Sequence, residues 1–268
     1  MQVERAACLA LHLAGKFLTE RTRGQLEVAG SVSNLARVLL SQRYTSALKS
    51  AAACMEAMNG NVVCCTDADY PRLLAETDHA PYAFFVKGHR AILSDKLVSI
   101  VGSREPSDTG RRVTAAISAF YAQNGNTIVS GIARGVDSIA HHAALRAGGR
   151  TIAVLPNGFD HAYPLENRDL YAAAATSDRL LLVSEYPPQQ KPQKHHFVRR
   201  NRIIAGLSEL TIFAEGSVQS GGMITVNHAL KEGREVAALS HKSLLNNAGG
   251  ELLCSDGAID LTAQFLPA

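Results

Sequence analysis

From residue 97 onward the chain alternates short β-branched, apolar runs with longer helix-forming stretches, and few architectures accept that alternation. The runs fall at 98–101, 127–130, 151–155, 180–184, 210–214 and 236–239; the helical stretches between them lie near 110–123, 136–147, 167–175, 200–205 and 225–231. Strands separated by helices cannot pair as hairpins, so they line up in parallel while the helices cover the sheet. The pattern predicts a Rossmann-like, doubly wound, mostly parallel α/β sheet over 97–268.

Upstream the character differs. Residues 1–60 are rich in Leu, Ala and Ser, with Leu35, Val38, Leu39 and Leu48 spaced as on short amphipathic helices, which predicts a small helical N-terminal domain. Residues 61–96 hold strand-like 62–64, a turn at Tyr70 and Pro71, and a second apolar run at 82–86, and are expected to form a connector or an extra pair of strands. With 268 residues, 46% hydrophobic and 19% charged, the chain can bury a full core.

The apolar runs are too short to span a bilayer. The first sixteen residues carry Glu4 and Arg5 among their apolar positions and lack the layout of a secretion signal, so a cytoplasmic protein with no membrane insertion is expected. The five cysteines, Cys8, Cys54, Cys64, Cys65 and Cys254, are odd in number and lack C-x-x-C spacing, and are read as reduced packing residues. A net charge of +3 names no partner by itself; the placement of charge has to decide.

In an open parallel sheet, ligands settle beyond the carboxyl ends of the strands, where the following helix presents unpaired N–H groups. After the first strand of the sheet stand Gly102, Ser103 and Arg104, a compact turn with a hydroxyl and a fork-shaped cation. After the second come Gly131 and Arg134 within 130–135, ahead of a helix opening at Val136 and Asp137. After the fifth, Ser220, Gly221 and Gly222 precede another helix and form a third candidate anion nest. Glycines at strand ends also serve simply to turn the chain. Neither the dinucleotide fingerprint nor the P-loop pattern occurs, so no nucleotide cofactor is indicated.

Residues 187–202 hold Lys191, Lys194, Arg199, Arg200 and Arg202 with no acidic residue, and Phe197 sits among them. A ring among cations suits single-stranded nucleic acid, with the ring stacking a base and the charges holding phosphates. The plainer alternatives are a solvated loop, or Phe197 as a core anchor. Catalytic patterns are weak. No G-x-S-x-G or H-E-x-x-H occurs, and the pairs His141, His142 and His195, His196 cannot easily converge on one metal. Glu185 and Glu215 end strands and are read first as helix caps or arginine partners.

Six segments then occur in the order and spacing of one family: VSIVGSREPSDTG at 98–110, SGIARGVDSIAH at 130–141, TIAVLPNGFDHAYPLEN at 151–167, SEYPP at 184–188, HFVRRNRIIAGLS at 196–208 and DGAIDL at 256–261. In these segments the chain resembles the DprA, or Smf, DNA-processing proteins of bacteria. The resemblance implies a Rossmann-like domain that binds and protects single-stranded DNA and helps load the RecA recombinase during natural transformation, with homodimerisation through the carboxyl-terminal part. It implies no cofactor and no catalysis. Carried over position by position, the DNA contacts fall on Ser103, Arg104, Gly131, Arg134, Lys194, Phe197, Arg200, Asn201, Ser220 and Gly221. The chain departs from the family where Gly222 follows Ser220 and Gly221, and where Ser240 and His241 follow the sixth strand. No winged-helix-like domain of the kind that some relatives append is expected within these residues.

Two rivals are kept. The 215–225 stretch faintly resembles the Gly-rich motif of nucleotide-cleaving phosphoribohydrolases, which would make Glu215 catalytic, but Val226, Asn227 and His228 stand where that motif needs its glutamate. A protein-interaction adaptor would show no DNA affinity at all.

Overall fold

The structure is a computed structural model that describes residues 2–267. The chain divides into two compact units, Met1–Val86 and Lys87–Ala268.

The first unit opens with α1 (Gln2–Leu13), followed by β1 (Phe17–Leu18), α2 (Glu20–Ala29), α3 (Val32–Leu40) and α4 (Tyr44–Ala57). Helix α1 buries a run from Ala6 to His12, and it packs against α3 and α4. Side-chain caps start α2 and α3: Thr19 accepts from the Thr22 amide, and Ser31 from the Asn34 amide. The rest of the unit is β2 (Val62–Cys64), α5 (Arg72–Glu76), β3 (Ala80–Pro81) and the start of β4 (Ala83–Gly88). Strand β2 pairs antiparallel with β4, Val62 opposite Phe85, and β1 pairs antiparallel with β3. Residues 61–86 therefore form strands with wholly buried apolar side chains, Phe84 and Phe85 among them.

The second unit runs β5 (Lys96–Val101), α6 (Asp108–Gln123), β6 (Asn126–Ser130), α7 (Val136–Arg146), β7 (Thr151–Leu155), α8 (Arg168–Ala173), β8 (Leu180–Ser184), α9 (Lys194–Leu207), β9 (Leu210–Phe213), α10 (Gly221–Lys231), β10 (Glu235–Ala238), α11 (Ala248–Ser255), β11 (Ile259–Asp260) and α12 (Thr262–Phe265). Within this unit the strand order is β11-β10-β9-β5-β6-β7-β8, every neighbour parallel. Every residue of β7 and β8 is buried, as strands covered on both faces must be. The core gathers Ile100, Ile117, Ile128, Val136 and Ile212 where β5, β6 and β9 meet α6 and α7.

The order places the site. From β5 the chain steps through β6 and β7 to β8, then crosses back through α9 to β9 on the other side of β5. Because parallel crossovers are right-handed, that reversal sends α9 and α10 to the opposite sheet face from α6 and α7. The packing agrees, α6 lying against α7 and α9 against α10. The crevice opens where the direction changes, at the carboxyl ends of β5 and β9 with β6 beside them.

Candidate nucleic-acid interface

Three loops leave the sheet at this point, and backbone hydrogen bonds fasten them together. The Ser103 amide donates to the Glu215 carbonyl at 2.7 Å, and the Ser103 carbonyl accepts from the Val136 amide at 3.0 Å. The turn after β5 is thus bound both to the turn after β9 and to the start of α7. Small residues allow the approach. A side chain on Gly222 would lie 2.9 Å from Gly102, and one on Gly135, at φ +75, would strike the Ser103 and Arg104 carbonyls. The turns that carry Ser103, Gly131 and Gly221 thus leave the same end of the sheet, the first bonded to the segments that follow β6 and β9.

Between the turns after β5 and β6 lies a cleft of about 280 Å³ lined by Arg104, Gly131, Arg134, Tyr163, Pro164 and Phe197, among others. The guanidinium of Arg104 lies over the Phe197 ring, 5.8 Å from its centroid, and Tyr163 meets that ring edge-on at 5.6 Å. Arg104 and Arg134 are exposed, and the ion pair of Arg134 is with Glu166. The Ser103 hydroxyl accepts from the Glu105 amide at 3.0 Å, which folds the turn so that the Arg104 side chain leaves it. Ser220 caps α10 by accepting from the Met223 amide. Gly221, in the first turn, is exposed, and a Cβ there would meet nothing within 4 Å. Packing therefore does not require that glycine.

The basic strip is not an extended loop. The helix expected at 200–205 runs from Lys194 to Leu207, with Lys194 exposed in its first turn and Phe197 half-buried at the cleft. Its sheet-facing stripe includes His196, Arg200, Ile203, Ile204 and Leu207, which puts polar groups at core positions. The His196 Nδ1 bonds the Pro156 carbonyl at 3.0 Å. Arg200, 4% exposed, donates to the carbonyls of Gly131 and Val154, and its Nε donates to Asn201 Oδ1 at 3.2 Å. Asn201, also buried, donates through Nδ2 to the Gly221 carbonyl at 3.2 Å. These two residues hold the second and third turns from behind, whereas Arg104, Arg134, Lys194 and Gly221 face solvent. Arg199 and Arg202 turn to the buried carboxylate of Glu185.

Burial dominates the electrostatics behind the cleft. It pulls Arg200 down to about 10 and pushes Asp137 up; each charge favours the other's ionised form, but less than the lost water disfavours it. The Ala133 amide donates to Asp137 Oδ2 at 3.2 Å, so the acid braces the turn after β6. In that turn Ile132 adopts φ +69, a left-handed conformation that a β-branched residue resists. Asn167 holds it there by donating to the Ile132 carbonyl at 2.8 Å. Glu215 accepts from the Ser107 amide and hydroxyl at 2.9 and 3.1 Å, at the start of α6, and is 1% exposed. Glu215 thus holds the start of α6, while Glu185 is the arginine partner. Tyr163 and Asn167 were not singled out among the candidate residues. Their signal was present in the 151–167 segment, where an aromatic precedes a proline and an asparagine follows.

Among known proteins, the family model described as DNA recombination-mediator protein A matches residues 61–264. DNA processing protein DprA of Bacillus subtilis is 36% identical over 251 residues, 93% of this chain and 82% of that protein. For six further curated relatives the chain spans between 41% and 60% of their length. The X-ray structure of DprA from Streptococcus pneumoniae aligns with a TM-score of 0.73 and 30% identity, covering 100% of this chain and 97% of that one. DNA processing protein A from Helicobacter pylori, whose structure was determined for its single-stranded DNA binding mode, aligns with a TM-score of 0.67 and 28% identity, over 75% of this chain and 90% of that one. No helix among the described residues is long and apolar enough to cross a membrane.

Proposed function

Because this chain belongs to the DNA recombination-mediator protein A family, the DprA and Smf proteins, we propose that the cleft at its sheet switch point binds single-stranded DNA through the phosphate backbone. The observation that carries this reading is the cleft between the first two turns, which presents Arg104, Arg134 and Phe197 together, with the third turn fastened to the first by the bond from Ser103 to Glu215. Phosphates lie along Ser103, Arg104, Gly131, Arg134, Lys194, Ser220 and Gly221, while Phe197 stacks a base. Arg200 and Asn201 act by holding the turns of Gly131 and Gly221 in position. Contacts of this kind grip a flexible chain but cannot spell its sequence. That the H. pylori relative has a structure described for single-stranded DNA binding supports the same assignment.

Membership of the family supports a wider role as part of the same proposal. The protein shields single strands and helps load RecA during transformation or recombination, as a homodimer through its carboxyl-terminal part, in the cytoplasm and without catalysing a bond change. The position of Glu215 favours binding over nucleotide cleavage, because its carboxylate is committed to Ser107 and is not offered to the cleft. Titrating short labelled single-stranded and duplex oligonucleotides by anisotropy tests the core of this reading. Single strands should bind more tightly, Arg104→Ala should weaken all sequences alike, and Phe197→Ala should lose about 1–3 kcal/mol. Equal affinity for duplex, together with unchanged binding in both variants, would remove the proposed interface.

A further inference from the structure

An arginine serves a phosphate track only to the extent that no other anion already holds it. Arg134 is 66% exposed and Glu166 54%, and the Arg134 guanidinium donates to the Glu166 carboxylate at the rim of the cleft. The contact is not a chance meeting of two mobile loops. Asn167, next to Glu166, is buried; it donates to the Ile132 carbonyl at 2.8 Å and accepts from the Ser138 hydroxyl at 2.8 Å. Those bonds bolt the turn that carries Glu166 onto the turn that carries Arg134. On the neighbouring element, His142 of α7 pairs with Asp169 of α8 at 2.7 Å and keeps the same two segments together.

A carboxylate and a phosphodiester offer the planar guanidinium the same pair of anionic oxygens. We propose that Glu166 occupies the phosphate seat on Arg134 in the free protein, so that single-stranded DNA binds there by displacing a built-in competitor, and Glu166 thereby sets the affinity. The inference rests on the reading of the cleft as a phosphate track. Displacement is feasible because the released carboxylate faces water, and an ion pair this exposed is weak. The competitor therefore trims affinity rather than blocking the site, which suits a protein that must also let go of the strand.

A four-way comparison tests it: wild type, E166Q, R134A and the double variant, each titrated with a labelled single-stranded oligothymidylate at low salt, with melting curves to verify folding. E166Q should tighten binding roughly two- to fivefold in the wild-type background, the range that exposed pairs allow, and the gain should vanish in the R134A background. Equal tightening in both backgrounds would mean that only a nearby negative charge was removed, and would overturn the competition. No tightening in either background would overturn it as well. Failure of the wild type to bind the oligonucleotide at all would instead strike the parent reading and take the inference with it.

Discussion

Two glycines separate fold from function. A side chain at Gly131 would collide with the guanidinium of Arg200 and with Asp137, while one at Gly221 meets only open space. Gly131→Ala should therefore lower the melting temperature together with DNA affinity. Gly221→Ala should leave the fold intact, or slightly firmer since alanine favours a helix, and should weaken binding by crowding the approach to the α10 amides. Melting curves and anisotropy titrations on both variants check this, and a Gly221→Ala protein with unaltered affinity would mean that the third turn is not part of the interface. The chain alone does not distinguish a cation that faces solvent from one that faces the core. Arg200 and Arg104 look alike in the chain, yet one is spent on the carbonyls of Gly131 and Val154 and the other lies over Phe197. The distinguishing signal was helical spacing. Arg200 falls in register with His196, Ile203, Ile204 and Leu207 on the buried stripe, but the stripe is visible only once the helix is known to begin at Lys194.

Among the elements, the strands were the most legible. β7 and β8 run from Thr151 to Leu155 and from Leu180 to Ser184, the limits expected from the sequence, because each is a compact apolar run bounded by polar or turn-forming residues. The start of α9 was not legible, since Gln193 supplies no side-chain cap and the first turn, a lysine, two histidines and Phe197, has no apolar periodicity. The two-residue β11 is too short to leave a pattern, and it depends on pairing with β10. Helix α7 carries its own signature in His141, wholly buried against the sheet. Its Nδ1 contacts the Thr151 hydroxyl at 2.6 Å, and that hydroxyl in turn donates to the Ile128 carbonyl at 2.7 Å. The imidazole is therefore the donor in its bond to Thr151, and Nε2 is left bare in the interior. Burial lowers this histidine to about 3, so the unfolded chain takes up a proton that the folded one refuses. Its contribution is complete above the ordinary histidine value of about 6.5 and is lost as pH falls from there toward about 3. His196 and His228, lowered chiefly by burial, act in the same direction. The melting temperature should fall across that window, and His141→Asn should make the fall shallower. An unchanged pH dependence in the variant would contradict the burial argument.

For the molecule as a whole, the alternation of strands and helices points to the carboxyl ends of a parallel sheet as the place for a candidate site, and the strand order narrows it. A chain that steps one way across a parallel sheet and then returns to the other side of its first strand must open a crevice where the direction changes. Here the crevice lies beside β5 and β9, and backbone bonds from Ser103 reach Glu215, 112 positions away, and Val136. What chain order could not supply was how the loops are fastened, because the Ser103 bonds to Glu215 and Val136 depend on the close approach permitted at Gly102, Gly135 and Gly222. A surface built this way should bind by displacing condensed counterions from a polyanion. The most direct measurement is the affinity for a short single strand over a range of salt concentrations. With about five phosphates neutralised, log affinity should fall against log salt with a slope of roughly −3 to −4. A slope near zero would contradict the claim that this end of the sheet grips DNA by its backbone.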